Sequence, residues 1–241
     1  MRNFGLEDIN IVYEDNHILV VVKPQNMPVC PDASGDKDLL SILKEYLIKK
    51  YEKKGDAFVG MVHRLDRPTG GVMVFAKTSK AAKRLSEGLR RGEIEKRYFS
   101  IVHGVPKDKQ AQLTHYIIKS PTRNMVYTVP MATEGAKKAV LFYKLLAVND
   151  KISLVDIRLK TGRSHQIRVQ MAAIGTPLFG DQKYSEGRTL PRYNIALWAT
   201  ELKLFHPVTK ERMVFRVYPP IDKIPWKYFD VNRFLSINIK Y

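Results

Sequence analysis

Two short segments of the chain carry side chains whose types and spacing suit chemistry. The first, His63-Arg64-Leu65-Asp66-Arg67-Pro68-Thr69-Gly70-Gly71, sets a carboxylate among arginines and follows it with turn residues. Pro68 fixes φ and the paired glycines permit backbone angles closed to other residues, so Asp66 belongs to a loop. An apolar run then starts at Gly71, so the loop feeds a strand, a common setting for a catalytic group. The cations of Arg64 and Arg67 favour an ionised carboxylate at neutral pH, and an ionised carboxylate serves as base or nucleophile. A loop aspartate that hydrogen-bonds its own turn fits the same residues, and His63 reads as a structural imidazole as well as a catalytic one.

The second segment, Leu159-Lys160-Thr161-Gly162-Arg163-Ser164-His165-Gln166-Ile167-Arg168, passes from a strand through a tight turn into a helix. Backbone N–H groups at a helix start attract anions such as phosphate, and Arg163 and Arg168 add charged contacts. His165 and Arg168 are three apart and are expected on one helix face. A capped helix with solvated arginines is the plainer alternative.

The elements that must position these groups follow from periodicity. Residues 11–23 predict two short strands around the turn at 14–17. Residues 38–53 predict a helix, with Leu39, Leu40, Leu43, Tyr46, Leu47 and Tyr51 at helical spacing and Gly55 as its stop. Residues 71–77 predict a strand and 79–91 a helix, with Thr78 as N-cap and Gly92 beyond its end. Its outer face is basic: Lys80, Lys83, Arg84, Arg90 and Arg91. Strands are predicted at 98–105, 138–148 and 152–159. A helix through Ile167, Met171 and Ile174 closes at Gly175, and residues 196–205 and 212–218 form a hairpin. Strands outnumber helices and short loops join several neighbours, which favours an α+β fold with a largely antiparallel sheet. The tail beyond Pro220 is basic and aromatic and is left unplaced.

Composition narrows the partner. Lysine and arginine number 41 against 24 acidic residues, a net charge of +17. A chain this basic is expected to meet a polyanion. No apolar run approaches the roughly 18 residues of a membrane span, and no signal peptide is expected from the first residues. Cys30 is the one cysteine, which rules out an internal disulfide and a Cys-rich metal site. These features suit the reducing cytoplasm.

Taken together, the two segments resemble the signatures of the RluA-type pseudouridine synthases. His63-Arg64-Leu65-Asp66 with Thr69, Gly71, Ala76 and Lys77 is similar to the family's catalytic motif. Residues 159–168, followed by Gly175-Thr176-Pro177-Leu178-Phe179-Gly180-Asp181, are similar to its second signature. Ile11-Val12-Tyr13-Glu14-Asp15 through Val22-Lys23-Pro24 resembles its opening, and Lys96-Arg97-Tyr98 with Val102 and Gly104 its intermediate motif. The matches run in family order from about residue 11 to residue 218.

The resemblance implies one α+β catalytic domain over residues 1–220, leaving 221–241 as an unassigned tail. Its sheet is mixed but mainly antiparallel, flanked by helices, with a central active-site cleft. It implies isomerisation of uridine in structured RNA, ribosomal RNA first and transfer RNA second, without metal or organic cofactor. Asp66 takes the place of the family's essential aspartate, Tyr98 that of its active-site tyrosine, and Arg168 that of the arginine paired with the aspartate. Arg64 falls where relatives displace the target base. His63, Lys77, Arg163 and His165 are expected to contact substrate or RNA. Gly70, Ser164 and Gln170 depart from the common pattern, where serine, threonine and histidine are frequent. The opening motif starts so early that a small RNA-binding domain ahead of the catalytic one is expected to be absent. The expected partner is RNA and no membrane, and the expected state is a monomer. A non-catalytic RNA-binding protein, a base-excising hydrolase and a structural basic protein are the rival readings.

Overall fold

The computed structural model describes residues 4–188 and 190–236. In chain order its strands are β1 (Asn10–Glu14), β2 (Ile18–Lys23), β3 (Gly60–Met61), β4 (Gly70–Ala76), β5 (Glu95–His103), β6 (Gln110–Lys119), β7 (Val126–Val129), β8 (Lys137–Asn149), β9 (Ile152–Leu159), β10 (Leu197–Phe205) and β11 (Arg212–Arg216). The helices are α1 (Leu39–Lys50), α2 (Ser79–Arg90), α3 (Gln166–Ala173) and α4 (Val231–Leu235). The chain divides into two compact units, Met1–Glu95 with Glu201–Val217, and Lys96–Thr200 with Tyr218–Tyr241.

In the first unit, β2 pairs antiparallel with β1 and β4, from Ile18 opposite Ala76 to Lys23 opposite Gly71. Both β2 and β4 are apolar runs buried on both faces, which suits interior strands rich in valine and isoleucine. β3 adds to β4, and β10 and β11 form the predicted hairpin. The helix read at 38–53 is shorter: Asp38 is its cap, with the side chain accepting the Ser41 N–H at 3.1 Å, and Tyr51 leaves helical geometry at the other end. Leu39, Ile42, Leu43 and Leu47 form its buried face. Thr78 caps α2 as expected, accepting the Ala81 N–H at 3.1 Å, and Gly92 takes the positive φ of +75° beyond its end.

In the second unit, β5, β9, β8, β6 and β7 pair antiparallel in that order. Val169 and Ala172 of α3 pack with Ile117, Val126, Ala139 and Tyr184 over the β6–β8 end. Arg97 and Asp156, 3% and 0% exposed, form a buried ion pair at 3.0 Å between β5 and β9. Part of the tail folds onto this unit: Trp226 is buried, and the Phe234 carbonyl accepts from Arg97 Nη2 at 3.1 Å. Residues 237–241 of the tail lie outside the described residues. No helix among the described residues is long and apolar enough to cross a membrane.

Candidate active site

Asp66 lies in the first unit, half-buried, in the loop that enters β4. The Thr69 N–H donates to the Asp66 carbonyl at 2.9 Å, closing a turn over Arg67 and Pro68. Gly71 adopts φ +124°, a value that asks for glycine. Beneath the turn sits Lys23, which is fully buried. Its ammonium donates to the carbonyls of Pro24 (2.9 Å), Met27 (2.7 Å) and Arg67 (3.0 Å). Three carbonyls match the three N–H donors of a lysine. Burial pushes the Lys23 pKa down to about 7, against the opposing pull of the Asp66 charge. The chain thus places a buried lysine amine under the carboxylate loop and ties it to the backbone beside Asp66. Sequence reading missed this role; the available signal was a lysine ending the apolar run of β2.

Arg67, read as one of the cations serving Asp66, is turned to the loop at 26–36. It donates to the Asn26 carbonyl (3.1 Å) and Ser34 Oγ (2.7 Å) and pairs with Asp36. Arg64 is exposed.

His63 and Lys77 also belong to the first unit. His63 is 8% exposed and its Nε2 accepts the Val74 N–H at 3.2 Å, which docks the loop on β4. Lys77 has a buried side chain whose ammonium reaches Glu14 at 2.7 Å and the Tyr51 hydroxyl at 3.0 Å. His63 Nε2 and the Lys77 ammonium thus make their hydrogen bonds within the unit. Glu14 also accepts from Tyr46, Lys50 and Tyr51. Burial alone would raise the Glu14 pKa, but these bonds and the one from Lys77 hold it down to about 2.

Tyr98, Arg163, His165 and Arg168 belong to the second unit. Tyr98 is 5% exposed on β5, opposite Ile157, which in turn faces Tyr143. Arg163 is exposed, and its Nε donates to the Lys138 carbonyl at 3.3 Å. His165 is not a helical residue sharing a face with Arg168. It precedes α3 in the left-handed region, φ +51°, with Nδ1 2.8 Å from the Tyr184 hydroxyl. Gln166 caps the turn through its side chain: Oε1 accepts from Thr161 Oγ1 (2.8 Å) and the Arg163 N–H (3.0 Å), and Nε2 donates to the Val140 carbonyl (3.0 Å). Gln170, where histidine is frequent, is fully buried and donates to the carbonyls of Leu113 and Ala139. It therefore staples α3 to the sheet.

Arg168 is 4% exposed and makes a two-point contact with the fully buried carboxylate of Asp181, Nε to Oδ2 at 2.7 Å and Nη2 to Oδ1 at 2.6 Å. Asp181 was visible in the second signature as one acid among glycine and apolar residues, yet no role followed from that. The two units thus present a carboxylate on a backbone-locked turn and a guanidinium locked by its own side-chain contacts.

Comparison with known proteins fits this description. Residues 17–173 match the profile of the RNA pseudouridylate synthase family. The ribosomal large subunit pseudouridine synthase D of Salmonella typhimurium is 37% identical over 240 residues, covering 92% of this chain and 71% of that protein. The uncharacterized RNA pseudouridine synthase YhcT of Bacillus subtilis is 34% identical over 221 residues, covering 89% and 70%. Human RNA pseudouridylate synthase domain containing 4 shares the fold, with a TM-score of 0.74 at 23% identity over 88% of each chain. The chain therefore belongs to the RNA pseudouridylate synthase family. It is an RNA pseudouridine synthase, an isomerase whose substrate is RNA, on an α+β fold with a mainly antiparallel sheet.

Proposed function

We propose that the enzyme converts a uridine of structured RNA to pseudouridine with Asp66 as the catalytic carboxylate, in one catalytic domain over residues 1–220. The observation that carries this reading is the Asp66 turn, fixed through its backbone by Thr69 and Lys23 while the side chain stays half-buried. A catalytic group needs that combination of fixed origin and access. Ribosomal RNA is the first candidate target, supported by relatives such as the Salmonella enzyme, and transfer RNA the second. The enzyme acts as a monomer in the cytoplasm.

The reaction breaks the bond from C1′ to N1, turns the uracil and joins C1′ to C5. The C5 proton leaves and N1 gains one, so electrons are rearranged without net oxidation. Asp66 either attacks the sugar or base covalently, or removes the 2′ proton to give a glycal. Arg168 pairs with Asp66 and orients it. The Tyr98 ring offers the freed uracil a stacking surface, and its hydroxyl assists proton removal at C5. The target base must leave its stack, at a cost of a few kcal/mol. Arg64 helps displace it, while Arg163 and the basic face of α2 hold the strand by phosphate contacts that weaken as salt rises.

Mapping pseudouridine across total RNA with and without the gene tests this reading. One site is lost on deletion and regained with wild type but not with Asp66→Asn. Tritium release from 5-tritiated RNA by Asp66→Asn at the wild-type rate rejects the role of Asp66. RNA binding without tritium release by the wild type returns the non-catalytic reading. Unchanged turnover of Tyr98→Phe removes the hydroxyl from the mechanism.

A further inference from the structure

The guanidinium of Arg168 holds five N–H donors in one plane. Two of them, on the edge formed by Nε and Nη2, are committed to Asp181. A two-point contact of this kind fixes the direction of the plane as well as its distance. Asp181 is itself immobilised: it is fully buried, and its Oδ1 also accepts the backbone N–H groups of Lys183 (2.9 Å) and Tyr184 (3.2 Å). The turn so closed puts the Tyr184 ring against the guanidinium, with Cζ 5.1 Å from the ring centroid. That ring is pinned in turn, because its hydroxyl accepts the Val126 N–H at 2.8 Å and stands 2.8 Å from His165 Nδ1. One carboxylate and one aromatic face therefore constrain Arg168 from two directions.

We infer that Asp181, backed by the Tyr184 ring, is a positioning residue for the isomerisation, setting which edge of the Arg168 guanidinium is presented to the reacting groups. This rests on the reading of Arg168 as a catalytic residue. A fully buried carboxylate stabilises the buried guanidinium but neutralises its charge locally, so charge alone is not what Arg168 offers the reaction. What survives the pairing is a set of N–H donors with a fixed aim. Asp181 thus acts through Arg168 and touches no substrate.

The substitution Asp181→Asn tests this selectively. The amide keeps Oδ1 for the Lys183 and Tyr184 N–H groups, so the turn persists, but the NH₂ that replaces Oδ2 cannot accept from Arg168 Nε. Single-turnover rates are measured by tritium release from 5-tritiated total RNA of cells lacking the gene, and affinity by filter binding of the same RNA. Asp181→Asn is expected to slow turnover roughly 10²-fold, the cost of a misplaced catalytic group, with RNA affinity unchanged. In the background of Arg168→Met the second substitution is expected to cost nothing more, because Asp181 acts only through that side chain. Wild-type turnover in Asp181→Asn, or additive losses in the double variant, overturns the inference.

Wild-type turnover in Arg168→Met removes the role of Arg168 and the inference with it. A slow Arg168→Met beside a normal Asp181→Asn removes the inference alone. Should Asp181→Asn fail to fold by circular dichroism, Tyr184→Leu replaces it in the same cycle. It keeps the carboxylate and deletes the ring, and it is expected to lower turnover with unchanged affinity; additivity with Arg168→Met is again the overturning result.

Discussion

The Asp66 loop and the Arg168 helix hold their charged groups by opposite means. Around Asp66 the restraints fall on the main chain: Lys23 grips three carbonyls, His63 takes the Val74 N–H, and Thr69 closes the turn. Around Arg168 they fall on the side chain, through Asp181 and Tyr184. Replacing the carboxylate leaves these main-chain hydrogen bonds with their donors and acceptors, and Lys23 alone among them senses the lost charge. The side-chain-held guanidinium differs, because its removal strands the buried carboxylate that holds it. Chemistry and stability should therefore separate further in the first region than in the second.

Arg168→Met gives the largest expected effect: turnover falls, and unfolding in urea loses about 3–5 kcal/mol, because a buried pair has lost one partner. Asp66→Asn abolishes turnover with a smaller loss of stability than Arg168→Met; equal destabilisation of the two variants would erase the contrast. Lys23→Met comes next, at about 2–4 kcal/mol, since it deprives buried carbonyls of their donor. It should lower activity through the Asp66 loop, as measured by turnover at temperatures where the variant is fully folded.

A third test uses pH. Glu14 titrates near 4.5 when unfolded and near 2 when folded. Its folded pKa is depressed, so its stabilisation is complete above about 4.5 and is lost as pH falls toward 2. Melting temperatures of wild type should drop across that window, and Glu14→Gln should flatten the drop. The smallest effect belongs to Thr78→Ala, about 1 kcal/mol from the lost cap of α2, with turnover intact.

The sequence made much of this legible where one period dominates. β2 and β4 are apolar runs, and α2 shows its cap, its basic face and its terminal glycine, so their limits fall within a residue of expectation. β6 was missed although Gln110, Gln112 and Thr114 alternate outward, and β7 is too short to show a period. The motif residues could be identified, but not their partners. Lys77 and Arg67 look like free cations in sequence, and only folding brings Glu14 to one and Asp36 to the other. Arg168 and Asp181 are thirteen residues apart with a helix end and a turn between them, so no helical spacing joins them.

The burial of Lys23 makes its amine a clock for the Asp66 loop. Acylating reagents that label surface lysines reach it only when β2 and the turn part, so its labelling rate measures how often that happens. Bound RNA that steadies the turn should slow this labelling while neighbouring surface amines keep reacting.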